Sequence, residues 1–197
     1  MICYIGGVVI KENTGLSKFV ILGILAHSPQ TGYTIKKWIE NEYSHFWQES
    51  YGQIYPTLKK LVAEGFADCE TEAKPENGRG QILYHITDAG RFELTSWLKK
   101  EPQIEKLRYE ILLKISFGKS AETKTLLTHL DEFKARNERL VQDMKAYMEQ
   151  MDKQPEEMDC FYSELTALCG VYVYSAMEKW AEEAKRRILE RNTGRNG

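Results

Sequence analysis

The most constraining feature of this chain is a run in its second half: Leu126, Leu130, Phe133, Asn137, Leu140, Met144, Tyr147 and Met151 follow one another in alternating steps of four and three. A heptad rhythm keeps one stripe of a helix turned toward a single partner, so the segment from about 121 to 151 is predicted as one long helix packed along a seam. Asn137 interrupts the apolar seam. In a coiled coil such an asparagine sets the register; in an intramolecular bundle it marks a hydrated gap, and both readings stand. Helices are also expected over 104–117, ended by Gly118, and over 158–191, after the polar DKQPEE stretch. Leu165, Leu168, Tyr172, Trp180 and Ile188 add to the apolar positions of this half, which are more than a monomeric arm hides and predict an interface.

The first half reads differently. Leu16 to Ala26 (LSKFVILGILA) is apolar nearly all round, as in a helix buried on several sides. Ser28 to Gly32 punctuate a turn, and Tyr33 to Glu42 place Tyr33, Ile35, Trp38 and Ile39 mostly on one helical face. Ser50 can cap a third helix to about Glu64, with Ile54, Leu58, Leu61 and Val62 on its buried stripe and Gln53, Thr57, Lys59 and Lys60 on the other. Pro56 removes a backbone donor and biases Tyr55 away from helical angles, so the regular helix is expected to begin later, near 52–55. Gly65 ends it. Phe66 to Glu72, the polar KPENGRG stretch and the alternating Gln81 to Thr87 read as a two-stranded hairpin. Thr87 or Asp88 can cap a fourth helix through Trp97 and Leu98, and Glu101, Pro102 and Gln103 form a polar boundary. The expected organisation is an N-terminal arm over 1–15, a first domain over 16–102, a helical domain over 103–191 and a tail over 192–197.

Composition excludes more than it assigns. With 42% hydrophobic and 28% charged residues and no membrane-length apolar run, the chain reads as soluble. MICYIGGVVI lacks the basic start and cleavage site of a signal peptide, so a cytoplasmic location is expected. Through residue 100 there are 11 basic and 11 acidic side chains, which neither favours nor forbids nucleic acid, since phosphate contacts need only a local basic stripe. Cys3, Cys69, Cys160 and Cys169 form no C-x-x-C pair and the four histidines are scattered, so reduced thiols and no metal site are expected. Cys160 and Cys169 are nine residues apart, half a turn out of phase on one helix. Catalytic and cofactor motifs are absent, and Asp131–Glu132 and Glu156–Glu157 read as solvated faces, so neither enzyme nor cofactor is expected.

Three helices, a hairpin wing and a polar, basic third helix follow the order of a winged helix-turn-helix, in which the third helix enters the major groove. The strings TGYTIKKWI, YGQIYPTLKKLVAEGF and YHITDAGR make that order specific. Over about residues 16–100 the chain resembles the PadR family of transcriptional regulators, and its helical tail resembles that family's longer, dimerising C-terminal domain. The fold class implied is mainly α: a winged helix-turn-helix domain of three helices plus a two-stranded wing, then an all-α long-helix dimerisation domain. Carried over position by position, the resemblance implies that Tyr33 and Tyr55 reach the DNA backbone, that Gln53 and Thr57 face base edges, and that Lys59 and Lys60 bind phosphate or guard the groove mouth. The donors suit phosphate oxygens, and a free glutamine can address adenine bidentately. For Tyr55 a partly buried core position is the alternative, and Lys36 and Lys37 read as solvated lysines. The wing departs from the family pattern: Arg79 is followed by Gly80, Gln81 and Ile82 where a further cation is usual, leaving Arg79 as its DNA contact.

Trp97, Phe161, Tyr172 and Trp180 are either core and interface aromatics or the lining of an effector pocket between the domains. The resemblance implies response to phenolic or flat hydrophobic molecules. The expected protein is a homodimeric repressor on an inverted-repeat operator in double-stranded DNA, released by a small aromatic effector through a population shift, with no membrane association. Its rival is a winged-helix protein-interaction module with a coiled-coil arm and no DNA target.

Overall fold

The computed structural model describes residues 15–72, 81–105, 108–153 and 160–193, so the arm expected over 1–15, Arg79 and residues 194–197 of the tail lie essentially outside it. The chain divides between Gln103 and Ile104 into two compact units.

In the first unit α1 (Ser17–His27) is apolar all round because it is enclosed: Ile21, Leu22, Ile24 and Leu25 are fully buried, against the helices Tyr51–Ala63 and Asp88–Leu98 among others. Each such side chain contributes about 1.5–3 kcal/mol. Thr31 caps α2 (Gly32–Trp38), accepting the Thr34 N–H at 3.1 Å while Thr34 Oγ1 accepts the Thr31 N–H at 2.9 Å. The helix expected to reach Glu42 changes at Ile39 into a π-turn, Ile39–Tyr43. Steps of four drift across an α-helical face; the wider winding returns Tyr43 to the core beside Ile35 and Ile39.

α3 (Tyr51–Ala63) starts at once after Ser50, earlier than Pro56 led us to expect, and Pro56 lies inside it. The proline deprives the Gly52 carbonyl of its helical donor, but Gly52 and Pro56 are both exposed and water can serve that carbonyl. Ile54, Leu58 and Leu61 are buried as their spacing predicts. The helix ends in a Schellman motif: Gly65 N–H donates to the Val62 carbonyl (3.1 Å) and Phe66 N–H to the Leu61 carbonyl (2.9 Å), with Gly65 at φ 75°.

β2 (Ala67–Glu72) and β3 (Gln81–Ile86) pair antiparallel from Ala67↔Ile86 to Glu72↔Gln81. The expected two-stranded wing is in fact part of a three-stranded sheet in which β3 is the central strand. Its extra strand, β1 (Gln30–Thr31), comes from the segment read as a pure turn and pairs Gln30↔Tyr84 and Thr31↔Leu83. Thr87, rather than Asp88, caps α4 (Asp88–Leu98): its hydroxyl accepts the Gly90 N–H at 3.1 Å and donates to the Gly65 carbonyl at 2.7 Å, tying the end of α3 to the start of α4. That closeness is what requires Gly90, because a Cβ there would sit 2.1 Å from the Phe66 carbonyl oxygen. Gly65→Ala, which only strains φ, is expected to cost about 1 kcal/mol. Gly90→Ala, which must move backbone, should cost more, about 2–3 kcal/mol. Urea midpoints of the two variants check the order; equal shifts would contradict it.

In the second unit α6 (Thr123–Met151) and α7 (Phe161–Thr193) run antiparallel, as Asn192–Thr123, Lys185–Asp131 and Lys134–Glu182 contacts require. α7 thus passes the expected end at 191 by two residues. Ala167, Gly170 and Ala181 are the buried residues of α7, small enough to let backbones approach. Leu130, Phe133 and Ala181 form the core with Ile111 of α5 (Glu110–Ser116), which precedes a 3-10 turn, Gly118–Ser120. The helix expected over 104–117 forms only from Glu110: Ile104 is 87% exposed, and a helical turn without a face to bury does not hold. The seam also shifts, with Val141 rather than Leu140 buried after Asn137. Asn137 Nδ2 donates to the Phe133 carbonyl of its own helix at 2.7 Å. On the surface, hydrogen bonds from Arg186 and Arg187 hold the Glu183 carboxyl at about 2.

Candidate nucleic-acid interface

The outer surface of α3 is built by its first turn. Ser50 has extended backbone angles, and both its N–H (3.0 Å) and its Oγ–H (2.9 Å) donate to Gln53 Oε1, so an S-x-x-Q sequence closes the helix start. One turn on, Thr57 Oγ1 donates to the Gln53 carbonyl at 2.7 Å. Gln53 and Thr57 therefore share one flank of the surface. Tyr51 and Tyr55, also four apart, stack at 6.0 Å and 23° on the other flank, with Gly52, Pro56 and Lys59 between.

Tyr55 is 43% exposed, and its ring leans on the start of α2: a Cβ on Gly32 would come 2.5 Å from its Cε1. Tyr33, next in sequence to Gly32, is 55% exposed, with Lys37 Nζ 6.0 Å from its ring centre. The hydroxyls of Tyr33, Tyr51 and Tyr55 are thus carried on partly anchored rings, a geometry suited to donating toward a phosphate. Beneath them burial, more than the neighbouring Cys69 and Tyr55, pushes the Tyr84 hydroxyl above its ordinary range.

The cations are unequal. Lys36 (3.1 Å) and Lys37 (3.5 Å) both pair with Glu40, whose carboxyl is held below its ordinary range chiefly by the Lys36 hydrogen bond. Lys60 approaches Glu64 at 3.7 Å, whereas Lys59 makes no ion pair among the described residues. On the wing His85 Nε2 meets Glu70 Oε1 at 2.9 Å and Asp68 lies across the ladder from His85, so the described wing stem is not basic.

Two residues escaped the sequence reading. Tyr51 was missed because Pro56 displaced the expected helix start past it; an i, i+4 pair with Tyr55 was the available signal. Glu49 carried no signal at all. It is 4% exposed, and its Oε1 accepts from Ser17 Oγ (2.5 Å) and Trp47 Nε1 (2.9 Å), tying the start of α1 to the approach of α3, while Oε2 has no partner among the described residues.

The four aromatics considered for an effector divide into two kinds. Trp97 stacks on Phe19 at 4.6 Å in the first unit, and Trp180 meets Phe133 edge-on at 5.7 Å in the second. Phe161 and Tyr172 are exposed, Tyr172 by 71%. Among the described residues Cys69, Cys160 and Cys169 are free, no group could hold a metal ion, and no helix is long and apolar enough to cross a membrane.

Residues 21–96 match the model of the transcriptional regulator PadR-like family, and residues 107–188 match the model described as virulence activator alpha C-term. The chain is 37% identical over 101 residues to the negative transcriptional regulator PadR of Bacillus subtilis (strain 168), a match covering 51% of this chain and 55% of that protein. Its fold is similar to the crystal structure of Bacillus subtilis PadR in complex with operator DNA, with TM-score 0.80 and 26% identity, covering 88% of this chain and 98% of that one. It is also similar to the structure of Bacillus subtilis PadR in complex with p-coumaric acid, with TM-score 0.71, 26% identity and coverage of 91% and 98%. With the winged unit and the helical unit each matched in turn, the chain belongs to the PadR-like family of transcriptional regulators.

Proposed function

We propose that this chain is a sequence-specific DNA-binding repressor that acts in the cytoplasm as a homodimer on an inverted-repeat operator. The observation that carries the reading is the outer surface of α3. Tyr51, Tyr55, Gln53, Thr57 and Lys59, which has no ion pair among the described residues, project from a helix whose opposite face is fully buried, and Tyr33 stands beside it. A rigid helix with tyrosine hydroxyls along one flank, amide and hydroxyl side chains along the other and an ammonium group between is suited to a major groove, whose walls are phosphate and whose floor is base edges. The similar Bacillus subtilis PadR was crystallised on operator DNA. Lys60 and Arg79 complete the phosphate contacts in this reading. No enzymatic role is part of it.

The dimer in this reading uses the helical unit, where Phe161, Tyr162, Leu165, Tyr172 and Val173 of α7 lie exposed in the single chain. The release signal is a small planar aromatic acid, of the kind represented by the p-coumaric acid bound to the similar Bacillus subtilis PadR. Such a ligand would have to displace a packed ring to reach Trp97 or Trp180, whereas Tyr172 is open in the single chain and the ligand would compete there with the dimer contact.

Operator binding by fluorescence anisotropy across a salt series tests the reading. Tyr55→Phe should weaken binding about ten- to a hundredfold, the worth of one hydrogen bond to a charged group. Lys59→Ala should lower the slope of log K against log salt by about one without changing sequence preference. Both variants should melt like wild type. Adding p-coumaric acid should release the DNA. Normal binding by Tyr55→Phe with unfolding of Tyr55→Ala would make Tyr55 a core residue. A flat salt dependence in the wild type would favour the protein-interaction module.

A further inference from the structure

The first turn of α3 does more than start the helix: it sets the hydrogen-bonding sense of an exposed side chain. Ser50 N–H and Oγ–H both end on one atom of the Gln53 amide, at 3.0 and 2.9 Å. A backbone N–H can only donate, so that atom is the carbonyl oxygen, and chemistry settles which way the amide faces. Two donors occupy the two lone pairs of Oε1. No described residue takes a hydrogen bond from Nε2, and Gln53 is exposed, so the amide hydrogens are what this side chain offers outward.

We infer that Gln53 reads its base pair as a donor only, through Nε2–H to an acceptor in the major groove: guanine O6 or N7, adenine N7, or thymine O4. It does not make the paired contact to adenine N6 and N7 that an unconstrained glutamine makes. The inference rests on the proposal that α3 enters the groove. The paired contact needs Oε1 to accept from the adenine amino group. Turning Oε1 outward gives up two hydrogen bonds to gain one, and it leaves the Ser50 N–H at a helix start without its acceptor. The neighbouring position has the opposite sense. Thr57 has committed its hydroxyl hydrogen to the Gln53 carbonyl, so its lone pairs are what the hydroxyl has left to offer. The flank therefore presents a donor at 53 and an acceptor at 57.

The test uses the full-length chain. Duplexes enriched from a random pool are remade with single atoms changed: 7-deazaguanine removes the N7 acceptor, and purine in place of adenine removes the N6 amino donor. Each is measured with wild type, Gln53→Glu and Gln53→Ala. Gln53→Glu keeps an acceptor for Ser50 and deletes the donor, so its melting temperature should match wild type and separate reading from folding. The expected result is one base pair per half-site where removing an acceptor weakens wild type about tenfold and leaves both variants unaffected. Removing an adenine amino group should cost wild type and Gln53→Ala equally everywhere. A position where that removal costs wild type about tenfold and Gln53→Ala nothing overturns the inference. So does a Gln53→Ala preference identical to wild type. If no sequence is enriched at all, the DNA reading itself falls before any variant is compared, and this inference goes with it.

Discussion

Removing residues 104–197 is expected to leave a folded winged unit whose operator affinity falls by about two to four orders of magnitude. The first unit carries a core of its own, from Ile21, Leu22 and Ile24 through Ile35, Ile54 and Leu58 to Tyr84, so it does not need the second to hide its apolar surface. What it loses is the second copy. A lone recognition helix reads only a few base pairs, and in the proposed dimer the second helix binds at an effective concentration set by the tether. A two-fold dimer should place its recognition helices one turn of DNA apart or a multiple, roughly 34–36 Å per turn. Sedimentation of the intact chain at micromolar concentration and footprinting of its site are the measurements. A monomer, or protection of a single unrepeated half-site, would contradict the dimer.

Leu58→Ala is expected to destabilise the winged unit by about 2–5 kcal/mol and to abolish specific DNA binding at moderate temperature. Leu58 is fully buried on α3, and deleting it leaves a cavity between the recognition helix and the rest of that core. Because Leu130, Phe133 and Ala181 form a separate core, calorimetry should show the α6–α7 transition unmoved. Leu130→Ala should do the reverse. Transitions that shift together for either variant would contradict two independent cores.

Locally encoded features were legible in the residues alone. The all-apolar Leu16 to Ala26, the Ile54–Leu58–Leu61 stripe, the alternation of Gln81 to Ile86 and the repeat beginning at Leu126 each state their element, because helix and strand periods repeat within a few residues. Gly65 and Thr87 marked ends for the same reason, since caps are made by neighbours in sequence. Helical spacing placed Gln53, Thr57 and Lys59 off the buried stripe of α3, whereas Tyr33 and Tyr55 were proposed for the site through the resemblance to the PadR family.

What the sequence could not determine depended on partners far along the chain. β1 exists because Gln30 and Thr31 find Tyr84 and Leu83, more than fifty residues on, and a two-residue strand has no period to reveal it. Glu49 matters through Ser17, 32 residues earlier. The absence of helix at Ile104, Glu105, Arg108 and Tyr109 and the shift from Leu140 to Val141 were decided by which faces found cover, since short helices persist only where tertiary contacts bury them. Pro56 was misread for a related reason: its penalty depends on whether the orphaned carbonyl can reach water, and only the fold exposes Gly52. Sequence alone thus determined the elements and the side of α3 that faces outward. Tertiary structure decided where elements begin, what joins them, and which atoms of Gln53 and Thr57 remain to be read, because hydrogen bonds and burial are settled between residues that only folding brings together.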